Sequence, residues 1–163
     1  MPTKEFVFNK VKELLESKNI AVEKIDDCRP WGGFFVIKDE DTLKFVELFF
    51  KEISESEDIK GNISPKILLV APEKKLSWQY HFRRSEIWKL IDGEAALVRS
   101  NTDIEGAVET LQINETVKLF QGERHRLIGL QQWGIIAEIW IHTDVNNPSN
   151  EEDIVRIQDD FGR

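Results

Sequence analysis

Cysteine, long apolar runs and an excess of basic residues are what this sequence lacks. Its 163 residues include one cysteine, Cys28, which excludes an intramolecular disulfide and any metal site built from several thiolates. A formal net charge of −8 provides no field that would attract a nucleic-acid backbone. Because no apolar run approaches membrane-spanning length and the N-terminus does not resemble a signal peptide, we expect one cytoplasmic domain with neither a membrane nor a nucleic-acid partner.

Short apolar or alternating runs fill the second half of the sequence. Eight of them occur, at residues 67–70, 76–82, 87–91, 95–98, 108–113, 117–120, 126–130 and 135–141. Their spacing is typical of antiparallel strands joined by short turns. The sequence therefore predicts a mainly β protein with a double-sheet jelly roll as its architecture.

Two amphipathic helices are predicted before these strands. The first spans residues 4–17 and has apolar residues at helical spacing, namely Val7, Val11, Leu14 and Leu15. The second is capped by Asp39 or Asp41. Its apolar stripe comprises Leu43, Val46, Phe49, Phe50 and Ile53. Both helices are expected to pack against the barrel, and the charged residues 55–58 are expected to form a loop.

The stretch from residue 76 to residue 93 gathers candidate metal ligands. Gln79 and His81 are two positions apart, so both side chains point to one face of a strand. Glu86 follows a short polar turn and lies on an otherwise apolar strand face. Asp92 and Gly93 then predict a hairpin turn.

A fourth candidate ligand, His125, follows the glycine turn at Gly122. An amide oxygen, two imidazoles and a carboxylate suit zinc, and also iron, manganese or nickel, with room left for water or substrate. The alternative is a site in which Glu86 and the two histidines only hydrogen-bond one another.

Glu138 and His142 share strand parity on the last long apolar run. Apolar residues flank Glu138, so desolvation should raise its pKa and suit it to proton transfer. If Glu138 instead pairs with an arginine, its role is structural. His142 is expected to be a surface residue at the end of the strand.

The order of these ligands resembles the two-part signature of the cupin superfamily, with Gln79 in place of the usual first histidine. The segment SWQYHFRRSEIW (residues 77–88) is similar to the SLQ-x-H-x-x-R-A-E-H-W motif in the cupin domain of type II phosphomannose isomerases. Residues 29–32 resemble that family's RPWG motif, and EDIVR (152–156) and DDFGR (159–163) resemble its closing EDDIVR and DDYGR. The resemblance covers residues 28–163.

The resemblance implies a cupin double-stranded β-helix with two added peripheral helices. Residues 1–65 would hold the helices and a first strand, 66–145 the barrel core, and 146–163 a tail packed on the barrel. The implied cofactor is a divalent metal, with zinc expected. The implied ligands are Gln79, His81, Glu86 and His125.

Arginines are dense around the expected mouth of the barrel. Arg83, Arg84, Arg124 and Arg126 neighbour the ligands, where they make either bidentate phosphate contacts or ordinary surface salt bridges. Arg84 occupies the arginine position of the resembled motif, which implies a catalytic and substrate-binding role. The flanking motifs imply that Arg29 and Arg156 also bind the substrate.

Four residues depart from the resembled family. Ile87 replaces a histidine, Phe120 a proline, Gly129 an asparagine and Trp140 a glutamine. These changes leave the predicted ligand set intact. They concern the sugar pocket and therefore the identity of the substrate.

The implied function is a metal-dependent aldose–ketose isomerase acting on a sugar phosphate, either mannose 6-phosphate or another such as a heptose phosphate. Ile87, Phe120 and Trp140 favour the alternative, a non-catalytic cupin that binds a sugar or sugar phosphate. A metal-dependent oxygenase is disfavoured by Gln79 as an additional ligand, because iron oxygenases use two histidines and a carboxylate on one face and leave the other positions open.

The remaining expectations concern activity and assembly. Guanylyltransferase activity is not predicted, because no G-x-G-rich segment precedes the cupin motif. A homodimer formed through sheet edges is one expectation, and a monomer whose edges are covered by the two helices is the other.

Overall fold

Antiparallel strands form most of the protein, as the alternating runs predicted. The computed structural model describes residues 1–56, 59 and 61–163. The helices and strands of this part are α1 (Lys4–Ser17), β1 (Val22–Arg29), β2 (Gly32–Ile37), α2 (Thr42–Phe49), β3 (Ile63–Val70), β4 (Trp78–Tyr80), β5 (Arg84–Ser100), β6 (Glu109–Thr110), β7 (Thr116–Leu119), β8 (Arg124–His142) and β9 (Val155–Gln158). Glu57 and Asp58, from the predicted charged loop, lie outside the described residues.

Two long strands, β5 and β8, organise the sheet. They pair antiparallel from Arg84 and His142 at one end to Ser100 and Arg124 at the other. On its other side β8 pairs with β3 and, near His125, with β4. The full order is β1-β2-β3-β8-β4-β9, with β6 and β7 along β5. This is the predicted jelly-roll barrel, and β5 and β8 line its interior from end to end.

The hairpin turn predicted at Asp92 and Gly93 is wrong. β5 continues through both residues with irregular register and stays paired with β8. Gly93 has a φ of +77°, and a Cβ there would lie 1.7 Å from the carbonyl oxygen of Trp133. Glycine therefore permits a bulge that bends one long strand, where the sequence predicted two strands.

The first helix begins and ends where the sequence predicted, and Thr3 caps it by accepting a hydrogen bond from the Phe6 N–H. In α2 the predicted apolar stripe is wrong at Leu43, which is 78% exposed, whereas Phe45 is fully buried. Residues two positions apart on a helix point in nearly opposite directions, about 200° apart, so the buried Phe45 leaves Leu43 in solvent. Asp41 precedes α2 as predicted, but its carboxylate accepts from the Ala21 N–H and does not cap the helix.

The sheet separates two apolar clusters. The outer cluster packs α1 and α2 against the sheet and includes Val11, Leu15, Phe45, Ile87 and Ile139. The inner cluster fills the barrel and includes Trp31, Trp88, Leu90, Leu97 and Ile136. Neighbouring residues of a strand alternate between faces, so β5 and β8 contribute to both clusters.

Among the described residues, no helix is both long enough and apolar enough to cross a bilayer.

Candidate metal centre

Three of the four predicted ligands meet inside the barrel. His81, Glu86 and His125 are each 2% exposed. One ligand atom from each lies within 4.8 Å of the other two. His81 Nε2 is 3.2 Å from Glu86 Oε1, and His125 Nε2 is 3.4 Å from Glu86 Oε2. The carboxylate thus lies between two imidazoles, and the three side chains form a group that could hold a metal ion.

Backbone carbonyls fix the tautomers of both histidines. His81 Nδ1 lies 2.7 Å from the carbonyl oxygen of Asp153, and His125 Nδ1 lies 3.1 Å from that of Glu123. A carbonyl oxygen only accepts, so each Nδ1 carries a proton, and each Nε2 is directed toward Glu86. Burial lowers the pKa of His125 to about 4, against the opposing effect of Glu86, so this imidazole is neutral at pH 7.

The donor set fits a divalent cation. His125 Nε2 is buried and, within residues 1–56, 59 and 61–163, has no hydrogen-bond partner. Its lone pair faces a carboxylate oxygen, an unfavourable contact that a divalent cation held by these residues would relieve. Burial alone would raise the pKa of Glu86, but interactions with His125, Arg84 and His81 outweigh burial and hold it well below its usual range. Two imidazoles and an ionised carboxylate suit zinc, with positions left for substrate.

Gln79, the fourth predicted ligand, lines the same cavity as Glu86. It lies on β4 opposite His125 of β8. Its Oε1 accepts a hydrogen bond of 2.6 Å from Ser77 Oγ. Because an amide oxygen has a second lone pair, this bond does not prevent ligation, and the role of Gln79 stays a prediction.

Arg84 lies deeper in the barrel than its predicted position at the mouth. Its side chain is buried, with Nε donating to Glu86 Oε1 at 2.9 Å and Nη2 donating to His81 Nε2 at 3.2 Å. Nη1 donates to groups of the C-terminal tail, namely Ser149 Oγ and the carbonyls of Asn150 and Asp153. The guanidinium carbon lies 3.6 Å from the ring centre of Trp140. Every nitrogen of this guanidinium therefore contacts a protein group.

Glu138 enters the same interior from β8, on the face that it shares with Ile136 and Trp140. Trp140 Nε1 donates to Glu138 Oε1, and Trp88 Nε1 donates to Glu138 Oε2, both at 2.8 Å. Trp88 Nε1 also lies 3.1 Å from Glu86 Oε2, so one indole bridges the two carboxyl groups. Burial, reinforced by the charge of Glu86, raises the pKa of Glu138 to about 8. A neutral carboxylic acid beside an ionised one is an arrangement that suits acid–base chemistry.

Basic side chains surround this cavity, which has a volume of about 80 Å³. Its lining includes Arg29 and Arg156, the two predicted substrate arginines, together with Arg163 and Lys66. Arg29 donates to Asp26 at 3.0 Å, and Lys66 pairs with Glu151. Burial and the charge of Arg163 lower the pKa of Arg156. An anion bound between these two arginines would reduce their mutual repulsion.

A larger cavity of about 450 Å³ lies on the opposite face of the sheet, between α1, α2 and β5. Its walls include Val11, Leu14, Phe49 and Ile91. Among the described residues, no group of metal-ligating side chains lies there. The candidate metal ligands therefore belong to the barrel interior and not to this larger cavity.

The C-terminal tail supports the ligands, a role that the sequence analysis missed. The Asp153 carboxylate accepts from the N–H groups of Phe82 and Arg83 at 2.9 and 3.0 Å, and from Ser149 Oγ at 2.6 Å. Burial opposes ionisation of Asp153, but these hydrogen bonds outweigh it and lower its pKa. Asp153 lies in the EDIVR motif, yet nothing in that motif predicts that it would hold the segment next to His81.

Two of the other predicted mouth arginines make salt bridges, which was the alternative interpretation. Arg126 pairs with Glu105 and Asp160, and Arg124 pairs with Asp103. His142, expected at the surface, is half-buried. Its Nε2 donates to Ser64 Oγ at 2.8 Å, and its Nδ1 accepts from the Ser149 N–H at 2.9 Å.

The four departures from the resembled motif lie in different surroundings. Ile87 is buried in the outer cluster and faces away from the ligands. Phe120 is 60% exposed. A Cβ on Gly129 would lie 2.0 Å from the carbonyl oxygen of Ala71, so asparagine does not fit without movement. Trp140 alone among the four lines the cavity, where its N–H holds Glu138.

Comparison with known proteins gives a family and a fold. The family model described as mannose-6-phosphate isomerase C-terminal matches residues 50–159. A mannose-1-phosphate guanylyltransferase of Salmonella montevideo is 28% identical over 157 residues, which cover 96% of this chain and 27% of that protein. The chain thus spans about a quarter of the length of this curated relative.

Among solved structures, two vicilins are similar to this chain. Vicilin of Corylus avellana (hazelnut) has a TM-score of 0.57 at 12% identity, over 85% of this chain and 36% of the vicilin chain. Vicilin of Solanum lycopersicum (tomato) has a TM-score of 0.53 at 15% identity, over 85% of this chain and 35% of the other. At such identities the likeness shows the fold alone.

Proposed function

This chain belongs to the mannose-6-phosphate isomerase C-terminal family, and from that premise we propose that it is a metal-dependent aldose–ketose isomerase acting on a sugar phosphate such as mannose 6-phosphate. The observation that carries the proposal is the presence of two carboxyl groups with opposite protonation states in one cavity. Glu86 is ionised among two imidazoles, and Glu138 has a pKa of about 8.

Glu138 is the proposed proton-transfer residue. Interconversion of an aldose and a ketose requires removal of a proton from the carbon next to the carbonyl and its delivery to the neighbouring carbon of an enediol. With a pKa of about 8, Glu138 is largely protonated at pH 7, yet a fraction of roughly one tenth is ionised and able to accept that proton. The N–H groups of Trp88 and Trp140 hold the carboxyl in place for both transfers.

His81, Glu86 and His125 are the residues that would hold the metal, with Gln79 as a proposed fourth ligand. A divalent cation bound there supplies Lewis-acid polarisation of the substrate carbonyl or adjacent hydroxyl. Zinc is the proposed metal because two imidazoles and a carboxylate match its ligand preferences.

Arg29 and Arg156 are proposed to bind the phosphate group. Both line the cavity, and guanidinium groups make bidentate contacts with phosphate oxygens. A cavity of about 80 Å³ has room for a few water molecules and not for a whole hexose phosphate. We therefore propose that the sugar carbons enter the cavity while the phosphate stays at its rim with these arginines.

The test is an isomerisation assay on mannose 6-phosphate and other aldose phosphates, run in D₂O with metal content measured in parallel. We expect turnover with solvent deuterium in the product. Glu138→Gln should lower kcat by at least about 100-fold while the metal content is unchanged, since general acid–base catalysis contributes about that much. His81→Ala should lose both metal and turnover. Metal-loaded protein without turnover or exchange on any substrate would refute the isomerase proposal.

The second candidate is a cupin that binds a sugar phosphate without catalysis. Both oxygens of Glu138 already accept indole N–H groups, and this side chain is 3% exposed, which favours a structural role for it. In that case, isothermal titration with mannose 6-phosphate would give saturable binding, Arg156→Gln would weaken it, and no deuterium would exchange into the sugar.

Location and assembly are further parts of the proposal. We propose a cytoplasmic protein, because its single cysteine suits a reducing compartment. A homodimer remains the proposed assembly, and light scattering on the purified chain would test it.

A further inference from the structure

Arg84 and a divalent metal require the same atoms. Arg84 Nε donates to Glu86 Oε1 at 2.9 Å, and Nη2 donates to His81 Nε2 at 3.2 Å. An imidazole nitrogen has one lone pair, so His81 Nε2 cannot accept from Arg84 and bind a metal at the same time. A guanidinium and a dication at such distances also repel each other.

We propose that Arg84 is a built-in competitor of the metal, and that it sets the metal affinity of this site. Arg84 neutralises Glu86 and donates to His81 Nε2, and metal binding requires that it release His81 Nε2. This inference rests on the proposed metal centre and adds to it the residue that opposes loading.

The third ligand explains how a metal enters such a site. His125 Nε2 has no hydrogen-bond partner in the described part of the chain and lies 3.4 Å from Glu86 Oε2. Arg84 therefore covers one oxygen of Glu86 and leaves the other facing a free lone pair. These two atoms offer a first attachment point, from which a cation gains His81 only by displacing Arg84.

The remaining contacts of Arg84 allow it to release its ligands and stay in the barrel. Nη1 donates to Ser149 Oγ at 2.8 Å and to the carbonyl of Asn150 at 3.2 Å. The guanidinium also stacks on Trp140. None of these partners is a metal ligand, so they retain the arginine while Nη2 becomes a free donor. Metal loading would then supply hydrogen-bond donors to an anionic substrate in the same cavity.

The opposite role for Arg84 is that of a positioning residue that orients His81 and Glu86 for the metal. Removing a partner that orients metal ligands usually lowers metal affinity by about 10- to 100-fold. Removing a competitor raises it. The sign of the change therefore distinguishes the two roles.

The experiment measures zinc affinity of the metal-stripped full chain by competition with a chromogenic chelator. Arg84→Gln should bind zinc at least about tenfold more tightly than the wild type, which corresponds to about 1.4 kcal/mol. Arg84→Lys keeps one charge but cannot reach both ligands in the same way, so its affinity should lie between the two. Lys89→Gln is the matched control, because Lys89 is a buried cation on the same strand that pairs with Glu52 on the outer face. Its zinc affinity should equal that of the wild type.

Thermal unfolding provides a second measurement. Without metal, Arg84→Gln should melt at a lower temperature than the wild type, because Glu86 loses its buried partner. Zinc should raise the melting temperature of Arg84→Gln by more than it raises that of the wild type.

Each outcome decides the inference. Unchanged or weaker zinc binding by Arg84→Gln, with a wild type that binds zinc, overturns it and leaves the metal centre standing. No zinc binding by the wild type or by either Arg84 variant overturns the inference and the metal centre together. If Arg84→Gln does not fold, the direction of the change in Arg84→Lys decides.

Discussion

The inner and outer faces of β5 and β8 consist of alternate residues of the same two strands, yet the buried polar groups on the two faces differ in how completely they are paired. On the outer face Lys89 pairs with Glu52 at the edge of an apolar cluster, and the pair is satisfied. On the inner face Glu86 and Glu138 share one indole N–H, and a buried imidazole nitrogen faces a carboxylate oxygen. A buried charge alone thus does not mark a site. What distinguishes the inner face is a buried polar network in which one atom, His125 Nε2, has no hydrogen-bond partner among the described residues.

The largest effect is expected when Glu86 on the inner face is substituted and compared with Ile87, its neighbour on the outer face. Glu86→Gln keeps the shape of the side chain but removes the charge between the two imidazoles, so we expect zinc binding to fall below detection. It should also cost about 3 to 5 kcal/mol of stability in the metal-free protein, because Arg84 loses its buried partner. Isothermal titration with zinc and urea unfolding are the measurements.

Ile87→Val is the matched control for that change. It removes one methylene from the outer cluster and should cost about 0.5 to 1.5 kcal/mol. Its zinc affinity should equal that of the wild type. Loss of zinc binding in Ile87→Val would show that the two faces are not independent.

The pH dependence of stability should come from the inner face. Because the folded-state pKa of Glu138 is raised from 4.5 to about 8, the unfolded chain releases this proton over a pH range in which the folded protein retains it. The contribution of Glu138 to the free energy of unfolding should therefore fall by a few kcal/mol as the pH rises from 4.5 to 8 and is fully present only below pH 4.5. The lowered pKa of His125 adds a smaller, opposing rise between pH 4 and 6.5. Urea unfolding at pH 5 and pH 8 measures it.

Glu138→Gln isolates this contribution, since the amide does not titrate. The stability of the variant should not fall between pH 5 and pH 8 as that of the wild type does, because only the opposing contribution of His125 remains, and the variant should gain stability relative to the wild type at pH 8. An equal pH dependence in both proteins would contradict a raised pKa at Glu138.

A smaller effect is expected from the tail that supports the inner face. Asp153→Asn replaces one acceptor by an amide group that faces the N–H of Phe82 or Arg83, so the segment next to His81 should loosen. We expect zinc affinity to fall about tenfold. Asp159→Asn is the control, because the Asp159 carboxylate accepts from the backbone N–H groups of Phe161 and Arg163 in the same tail and does not contact a predicted metal ligand. Equal loss in the two variants would mean that the tail acts only through general stability.

The smallest expected effect concerns α2, which packs on the outer face. Leu43→Ala should change the free energy of unfolding by less than about 0.5 kcal/mol, because Leu43 is mostly exposed. Phe45→Ala, two positions away and fully buried, should cost about 3 to 5 kcal/mol. Similar losses at both positions would contradict the orientation of α2, in which Phe45 faces the core and Leu43 faces solvent. Urea unfolding of the two variants decides.

Periodicity made much of the fold predictable. The apolar spacing of residues 4–17 defined α1, and the alternating runs defined the barrel strands. The bulge at Gly93 was not predictable, because a glycine with positive φ serves a tight turn and a bulge equally well. β1 and β9 were missed because β1 is mostly polar and β9 has only four residues, so neither has a strong apolar alternation.

The site was partly predictable for a related reason. Motif spacing brought together His81, Glu86 and His125, whereas strand parity alone left open whether Glu138 faces inward. The contact of Arg84 with Glu86 was not predictable, since the residues are two apart on a strand and an arginine at that spacing usually reaches solvent. The role of Asp153 depends on how a distant segment packs, and no local pattern carries that information.

The central position of β8 has a kinetic consequence. β3, β4 and β5 all pair with it, and the Ser64–His142 contact joins residues 78 positions apart. Pairing of distant segments loses much chain entropy before it gains contacts, so barrel closure should be the slow step of folding. Since His125 and Glu138 both lie on β8, the metal centre and its neighbouring acid form in that same late step. A nascent chain that lacks β8 would expose unpaired strand edges and would lack His125 and Glu138, so both its solubility during synthesis and the formation of the candidate site depend on this strand.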